Sequence, residues 1–259
     1  LGQLKARKRR DRDLVVGLLG CMAREHKDWV QERMPHVDLV AGPDDFGAID
    51  GLVARVRTER APLMAVGQGV SGDLVRRDPA LRPHAAQAFV SVMRGCDMPC
   101  TFCIVPAVRG PEVSRPIPVI AEEVERLCAD GVTEITLLGQ TVNGYGGDLE
   151  PRQTFSALLR RLLEVPSLRR LSFVTSHPNF VSPELIETLA ASPRLTRYLH
   201  MPAQSGSNAM LKAMKRGYTV EWYRAHRLWW EAVKSGAYRD YYRSMYEDRL
   251  REGVETRGR

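Results

Sequence analysis

Short apolar runs alternate with longer amphipathic segments in the first part of the chain. The run at 13–21, DLVVGLLGC, is typical of a buried strand that ends at a Gly-Cys loop. Residues 24–35 have the pattern of a helix, and 36–45 predict a second strand that a Gly-Pro pair stops. The segment FGAIDGLVARVRTER, at 46–60, completes the strand–helix alternation.

The same alternation returns beyond residue 84, where apolar strands are again followed by amphipathic helices. The pattern predicts strands at 88–96, 134–140, 168–178 and, with a following loop, 197–207. It predicts helices at 117–131, 154–165, 182–192 and 208–217. Alternation of this kind is typical of parallel β/α units joined by right-handed crossovers, so the predicted fold class is α/β.

Changes in composition divide the chain into four predicted regions. Residues 1–60 form a first α/β domain, and 61–84 are rich in Gly, Pro and Arg without periodicity, which is typical of a linker. Residues 85–225 form a second, larger domain. The segment 226–259 is rich in Arg, Trp and Tyr and lacks a strand signal, which predicts either a poorly ordered tail or an RNA-binding segment.

Unusual polar stretches fall where the predicted strands of the second domain end. In parallel β/α folds, functional side chains lie on loops after the carboxyl ends of strands. The stretches are GCDMPCTFC at 95–103, GQTVNGYGG at 139–147, TSHPNF at 175–180 and HMPAQSGS at 200–207. These loops are therefore the predicted location of the functional site.

Three of the 5 cysteines, Cys96, Cys100 and Cys103, follow the spacing C-x3-C-x2-C. Three such thiols can be half of a zinc site, a coincidence of structure or the ligands of an iron–sulfur cluster. A structural zinc site takes four ligands, usually as two separated pairs, and Cys128 is typical of a small core residue in a helix. Three thiolates suit a [4Fe–4S] cluster whose fourth iron stays open for an outside ligand.

Composition and charge narrow the classes of partner and location. The 259 residues are 44% hydrophobic, enough for a core, and carry a formal charge of +7. This charge suits a polyanion such as RNA, and it equally suits a basic surface that contacts only water. No apolar run approaches the roughly 20 residues that span a bilayer, and the basic first residues lack an apolar signal region. We expect a cytoplasmic, reducing location and no membrane.

The cysteine motif, with Phe102 before its last cysteine, resembles the signature of radical S-adenosylmethionine (SAM) enzymes. Four sequence blocks that occur in order along the chain make the resemblance more specific: FVSVMRGCDMPCTFCIVPAVRGPEVSRP, TLLGQTVNGYG, TSHP and HMPAQSGSNAMLKAMKRGYTVEWY. Together, over residues 1–225, they resemble the radical SAM methylthiotransferase family. The resemblance implies a remnant of a doubly wound N-terminal domain followed by an incomplete radical-SAM β/α barrel. It also implies a transferase that adds a methylthio group to C2 of N6-isopentenyladenosine beside the anticodon of tRNA.

The resemblance also implies roles for individual residues. Cys96, Cys100 and Cys103 would hold the cluster whose open iron binds the amino and carboxylate groups of SAM, and an electron from it would break the sulfonium to give a 5′-deoxyadenosyl radical. The expected pocket for SAM and the substrate is lined by Gly139, Gln140, Asn143, Ser176, His177, His200, Gln204 and Ser205. Arg109 is expected to pair with a carboxylate or phosphate. Turn glycines and histidines after strands also have ordinary structural roles, which stay open.

Cys21 matches a cysteine that, in the family, helps to hold a second [4Fe–4S] cluster tied to sulfur insertion. Its two companions have no counterpart in the sequence, so we expect one cluster where the full family has two. We also expect a chain that is truncated at both ends. The expected partners are tRNA, a reductase as electron donor and a sulfur source.

Two other functions stay open at this point. A sister branch of the family methylthiolates an aspartate of a ribosomal protein, or another tRNA base, with the same cluster chemistry. A truncated chain can also be catalytically inactive and bind only an iron–sulfur cluster or RNA. Iron content and SAM cleavage separate the inactive fragment from the two enzymes.

Overall fold

Helices and strands alternate along the chain in the computed structural model, which describes residues 1–67, 86–196 and 198–235. The strands are β1 (Gly17–Leu19), β2 (Leu39–Ala41), β3 (Leu63–Ala65), β4 (Gln87–Ser91), β5 (Met93–Arg94), β6 (Val113–Ser114), β7 (Glu134–Leu138) and β8 (Arg170–Phe173). The helices are α1 (Gly2–Arg10), α2 (Cys21–Glu25), α3 (Lys27–Arg33), α4 (Ile49–Glu59), α5 (Val105–Arg109), α6 (Ile117–Ala129), α7 (Phe155–Leu163), α8 (Pro183–Ala191), α9 (Asn208–Ala213) and α10 (Val220–Ser235). They form two units, Leu1–Leu81 with Ile104–Pro111, and Arg82–Cys103 with Glu112–Arg259.

The first unit contains a three-stranded parallel sheet in the order β1-β2-β3. Successive side chains of β2 point to opposite faces of this sheet. Leu39 shares one core cluster with Val56 of α4, whereas Val40 shares another with Val30 of α3. Helices therefore cover both faces, which is the doubly wound arrangement predicted for this region.

The second unit contains a three-stranded parallel sheet in the order β4-β7-β8. Helix α6 connects β4 to β7, and α7 connects β7 to β8, so each strand is added beside the previous one, as in a β/α barrel. Ile135 and Leu137 of β7 are buried in one core cluster with both helices. Phe155 of α7 meets Phe173 of β8 edge to face, with ring centroids 5.0 Å apart. The α/β fold class is confirmed.

Two segments of the second unit were predicted incorrectly or not at all. Within the described part of 197–207 no strand forms, and the parallel contact is limited to a bridge between Leu171 and Leu195. Pro202 has no ladder donor, and Gln204 has a φ of 66°, so the extended backbone ends here. The pairing of β5 with β6 was also not predicted, because strands of two residues give no periodic signal.

Elements also occur in the predicted linker and tail. β3 lies inside 61–84, where three residues are too few to show a period, and 68–84 lie outside the described residues. Helix α10 extends into the predicted tail 226–259, of which 236–259 are likewise outside the described part. The short helix α5, which follows the cysteine motif, was not predicted either.

Candidate functional site

Three of the four predicted site loops, those after β7, β8 and Leu195, are joined by main-chain and hydroxyl hydrogen bonds. Thr175, after β8, donates through Oγ1 to the Gly139 carbonyl at 2.5 Å, and its own carbonyl accepts from the Val142 amide at 3.1 Å. The Ser176 amide donates to the His200 carbonyl at 3.2 Å. The structure therefore brings the polar stretches after β7, β8 and Leu195 into one place, as the strand-end rule predicts.

Asn143 acts as a clamp between two of these loops. Its Nδ2 donates to the His177 carbonyl at 2.9 Å, and its Oδ1 accepts from the His177 amide at 2.8 Å. Both residues are buried. The Asn143 amide is thus occupied by main-chain groups of this chain, so its observed role is to position His177.

Packing leaves no room for a side chain at position 139. A Cβ at this position would lie 2.6 Å from Cγ of Met93, which is itself buried under the loop. Gly144 has no such restriction, since a Cβ there would meet the Phe180 ring at an ordinary 3.4 Å. Gly139, which was predicted to line the pocket, and Gly144 of the same loop therefore differ in what a substitution would disturb.

The cysteine motif follows β5 directly, where Gly95 has a φ of 73° that favours glycine. Cys96 and Cys100 are buried, Cys103 is exposed, and all are free thiols. The Cys96 sulfur lies 3.1 Å from the Thr141 hydroxyl on the loop after β7. In the described parts of the chain, no three His, Cys, Asp or Glu side chains already converge as metal ligands.

Burial, a hydroxyl group and one carboxyl group act on the pKa of the Cys96 thiol. Burial raises its pKa, the Thr141 hydroxyl lowers it, and Glu112 raises it further. The Glu112 amide donates to Asp97 at 3.1 Å. Burial, and then the charge of Asp97, raise the pKa of Glu112 to about 7, so this carboxyl is largely protonated below neutral pH.

Cys100 has a cationic neighbour that the sequence pattern did not reveal. Arg216 donates from Nη1 to the Cys100 sulfur at 3.1 Å and from Nε to the Tyr218 hydroxyl at 3.2 Å. Both side chains are buried. Arg216 and Tyr218 belong to the block MKRGY, whose likeness to the family could have flagged them, but neither was assigned to the site.

Four polar atoms on the site loops are buried and have no hydrogen-bond partner among the described residues. They are Gln140 Oε1, Ser176 Oγ, His177 Nε2 and His200 Nδ1. Leaving such an atom unpaired costs about 1–3 kcal/mol, so each group needs a bound ligand or water. These are four of the predicted pocket residues, and the three joined loops all contribute.

His177 is a neutral hydrogen-bond donor in this environment. Burial, and then the positive charge of Arg216, lower the pKa of its imidazole to about 4. Because Nδ1 accepts from the Asn179 amide at 3.2 Å, the ring proton of the neutral form belongs on Nε2. Phe180 and Tyr218 each meet the imidazole ring edge to face, with centroids 5.9 Å away.

Four predicted site residues are exposed, make local hydrogen bonds or belong to the first unit. Gln204 is exposed, and Ser205 accepts from the Ser207 amide at 3.2 Å. Cys21 and Arg109 both belong to the first unit, at the beginning of α2 and the end of α5. The joined loops described above belong to the second unit.

Comparisons with known proteins agree on one superfamily. The profile of the Radical SAM superfamily matches residues 90–237. The chain is 41% identical over 225 residues to the tRNA-2-methylthio-N(6)-dimethylallyladenosine synthase of Carboxydothermus hydrogenoformans, covering 86% of this chain and 51% of that protein. The enzyme of the same name from Myxococcus xanthus is 42% identical over 214 residues, 82% of this chain and 46% of that protein. The chain thus spans about half the length of these curated relatives.

A solved structure supports the fold. The cobalamin-dependent SAM radical enzyme OxsB, with aqua-cobalamin bound, superposes with a TM-score of 0.54 at 15% sequence identity. The match covers 85% of this chain and 35% of that one. At this identity the likeness concerns the fold alone.

Proposed function

The chain belongs to the radical SAM superfamily, as the cysteine motif predicts, and we propose that it forms the cluster-binding core of a tRNA methylthiotransferase. Membership implies a [4Fe–4S] cluster and SAM. The observation that carries the proposal is the three-cysteine loop in a chain 41% identical to a tRNA-2-methylthio-N(6)-dimethylallyladenosine synthase. The proposed reaction adds a methylthio group to C2 of N6-isopentenyladenosine in tRNA.

The proposed cluster ligands are Cys96, Cys100 and Cys103. The donor set fits the group, because three thiols on one loop supply soft, anionic ligands and Arg216 supplies a nearby positive charge. When bound, the cluster supplies the electron that cleaves SAM. The proposal requires the exposed Cys103 thiol to join the two buried ones when the cluster assembles.

The proposed pocket for SAM and the nucleoside is formed by the four unpaired polar groups. Gln140 Oε1 accepts a hydrogen bond, the Ser176 hydroxyl can donate or accept, and His177 donates from Nε2. This mixture of donors and acceptors suits the hydroxyl, amino and carboxylate groups of an adenosine derivative. Gln204, Ser205 and Arg109 remain proposed contacts on the flanking segments.

The proposed partners follow from the reaction and the charge. The formal charge of +7 favours contact with tRNA phosphates, and the reaction also needs a reductase and a sulfur source. Within the described residues, none of the helices combines the length and apolarity that a membrane crossing requires. The proposed location is the cytoplasm. We propose that this chain holds one cluster and that Cys21 supplies one ligand of a second cluster.

The test is anaerobic reconstitution of the 259-residue chain with iron and sulfide, followed by metal analysis and SAM turnover. We expect about four irons and four sulfides per chain and release of 5′-deoxyadenosine. Cys100→Ala should abolish both. Cys128→Ala, which removes a buried thiol from the α6 side of the core, is the matched control and should abolish neither.

The product assay separates the transferase from a chain that only cleaves SAM. Anticodon stem-loop RNA carrying N6-isopentenyladenosine is compared with the same RNA carrying adenosine, and nucleosides are analysed by mass spectrometry. Because Cys21 is the one cysteine before Cys96 in the 259 residues, we expect this chain to cleave SAM without forming methylthio product. Protein that takes up zinc, or no metal, contradicts the proposal.

A further inference from the structure

Arg216 is a buried cation that has no carboxylate counter-charge among the residues that the structure describes. Its residue exposure is 5%, and among the described residues no Asp or Glu forms an ion pair with it. Its observed partners are the Cys100 sulfur, the Tyr218 hydroxyl and the face of the Tyr218 ring, 5.5 Å from its guanidinium carbon. A buried charge without an opposite charge is strongly unfavourable, so this guanidinium requires an anion.

The end of helix α9 fixes the position of Arg216. The Lys215 amide donates to the Lys212 carbonyl, and the Arg216 amide donates to the Leu211 carbonyl, each at 3.0 Å. With Lys215 at a φ of 54°, this is the Schellman ending of a helix, and it places Arg216 immediately after the turn. Asn179 then donates from Nδ2 to the Arg216 carbonyl at 3.2 Å.

The cysteine loop is attached to the same end of α9. Thr101 donates through its amide to the Met214 carbonyl at 3.3 Å and through its hydroxyl to the Ala213 carbonyl at 3.1 Å. These are carbonyls that a helix end leaves without internal partners. The Arg216 guanidinium and the Cys100 sulfur are therefore brought together by two independent sets of bonds, one on each side.

A short polar chain orients the guanidinium. The Tyr218 hydroxyl donates to the Ala203 carbonyl at 2.8 Å, which leaves its lone pairs to accept from Arg216 Nε. With Nε fixed in this way, Nη1 donates to the Cys100 sulfur. The cation is thus aimed at one thiol of the motif by groups outside the motif.

We propose that Arg216 is the internal counter-ion of the cluster on this chain, stabilising its anionic, reduced form through Cys100. The inference rests on the cluster in the proposed function, but not on tRNA or methylthio transfer. A hydrogen bond to a ligand sulfur and a nearby positive charge both stabilise the reduced cluster, because that form carries the more negative charge. The reduction potential of the cluster is therefore raised. Arg216 is therefore a positioning residue that tunes the cluster through its ligand.

The experiment compares Arg216→Met, Arg216→Lys and Tyr218→Phe with the native chain after anaerobic reconstitution. The midpoint potential is read by EPR in a redox titration, and cluster loss is followed in the presence of an iron chelator. We expect Arg216→Met to shift the midpoint to a more negative potential and to lose iron about 10-fold to 100-fold faster. Arg216→Lys keeps the charge, so its midpoint potential should shift less. The midpoint potential of Tyr218→Phe should shift in the same direction as that of Arg216→Met.

Lys212→Gln is the matched control, because it removes one positive charge from the exposed surface of the same helix. It should leave the midpoint and the iron-loss rate unchanged. An unchanged midpoint in folded Arg216→Met, or equal shifts in the Met and Lys variants, overturns the inference. If Arg216→Met does not fold, an unchanged midpoint in Tyr218→Phe overturns it. A native chain that takes up no cluster refutes the proposed function instead, so the two failures are distinct.

Discussion

Replacing Asn143 by alanine tests whether its amide holds the site together. The substitution removes the donor to the His177 carbonyl at 2.9 Å and the acceptor for the His177 amide at 2.8 Å. Both main-chain groups are buried, so water does not readily replace the lost partners. At about 1–3 kcal/mol for each of the two orphaned groups, we expect the free energy of unfolding to fall by about 2–6 kcal/mol.

Urea denaturation followed by circular dichroism measures this loss as a lower midpoint at similar slope. Asn208→Ala is the matched control, because the Asn208 amide also makes two hydrogen bonds, to the Val220 amide at 2.7 Å and to Glu221 at 3.0 Å, but at an exposed position. That control should lose no more than about 1 kcal/mol. If Asn143→Ala is as stable as Asn208→Ala, the clamp is not what orders the loops.

Gly139→Ala should lower the free energy of unfolding by about 1–3 kcal/mol, since its Cβ would lie 2.6 Å from Met93, and Met93→Ala in the same chain should recover part of the loss in a urea titration. Because the fold holds His177 neutral with a pKa near 4, whereas an unfolded histidine has one of 6.5, the free energy of unfolding should decrease by up to about 3 kcal/mol as pH falls from about 6.5 to about 4. His177→Gln should remove this decrease in the free energy of unfolding, and a variant with the same pH profile as the native chain would refute the assignment to His177. The fold raises the pKa of Glu112 from 4.5 to about 7, so its contribution to stability is present at low pH and is lost as pH rises through this window. Glu112→Gln should therefore raise the urea midpoint at pH 8 and leave it nearly unchanged at pH 4.5, and equal midpoints at pH 8 would contradict the burial.

The sequence predicted the elements and loops whose signals are local. Helices α6, α7 and α8 and strands β7 and β8 lie within the predicted segments, because each combines an apolar period with a terminating turn residue. Strand β4 (Gln87–Ser91) begins one residue before its predicted segment, 88–96. The location of the site on the polar stretches after strands could also be predicted from the sequence, since parallel topology brings strand ends together. Both inferences depend only on residues that are close in sequence.

Contacts between distant residues could not be predicted in the same way. Arg216 and Cys100 are 116 positions apart, and nothing near either residue shows that the other is its partner. Asn143 was predicted to contact a ligand, but its 34-residue separation from His177 hides the two main-chain bonds that occupy it. The strand predicted at 197–207 is also absent from the described part of that segment, where a proline and a left-handed residue interrupt the extended backbone.

The most direct test of the central claim is the EPR spectrum of the dithionite-reduced, anaerobically reconstituted chain, recorded with and without SAM. A cluster held by Cys96, Cys100 and Cys103 leaves one iron open, so SAM should bind to it and shift the g values. Cys103→Ala lacks one of the three ligands, so it should lose the [4Fe–4S] signal itself, as expected for Cys100→Ala. A reduced native chain with no [4Fe–4S] signal, or with a signal that SAM does not change, would contradict the account.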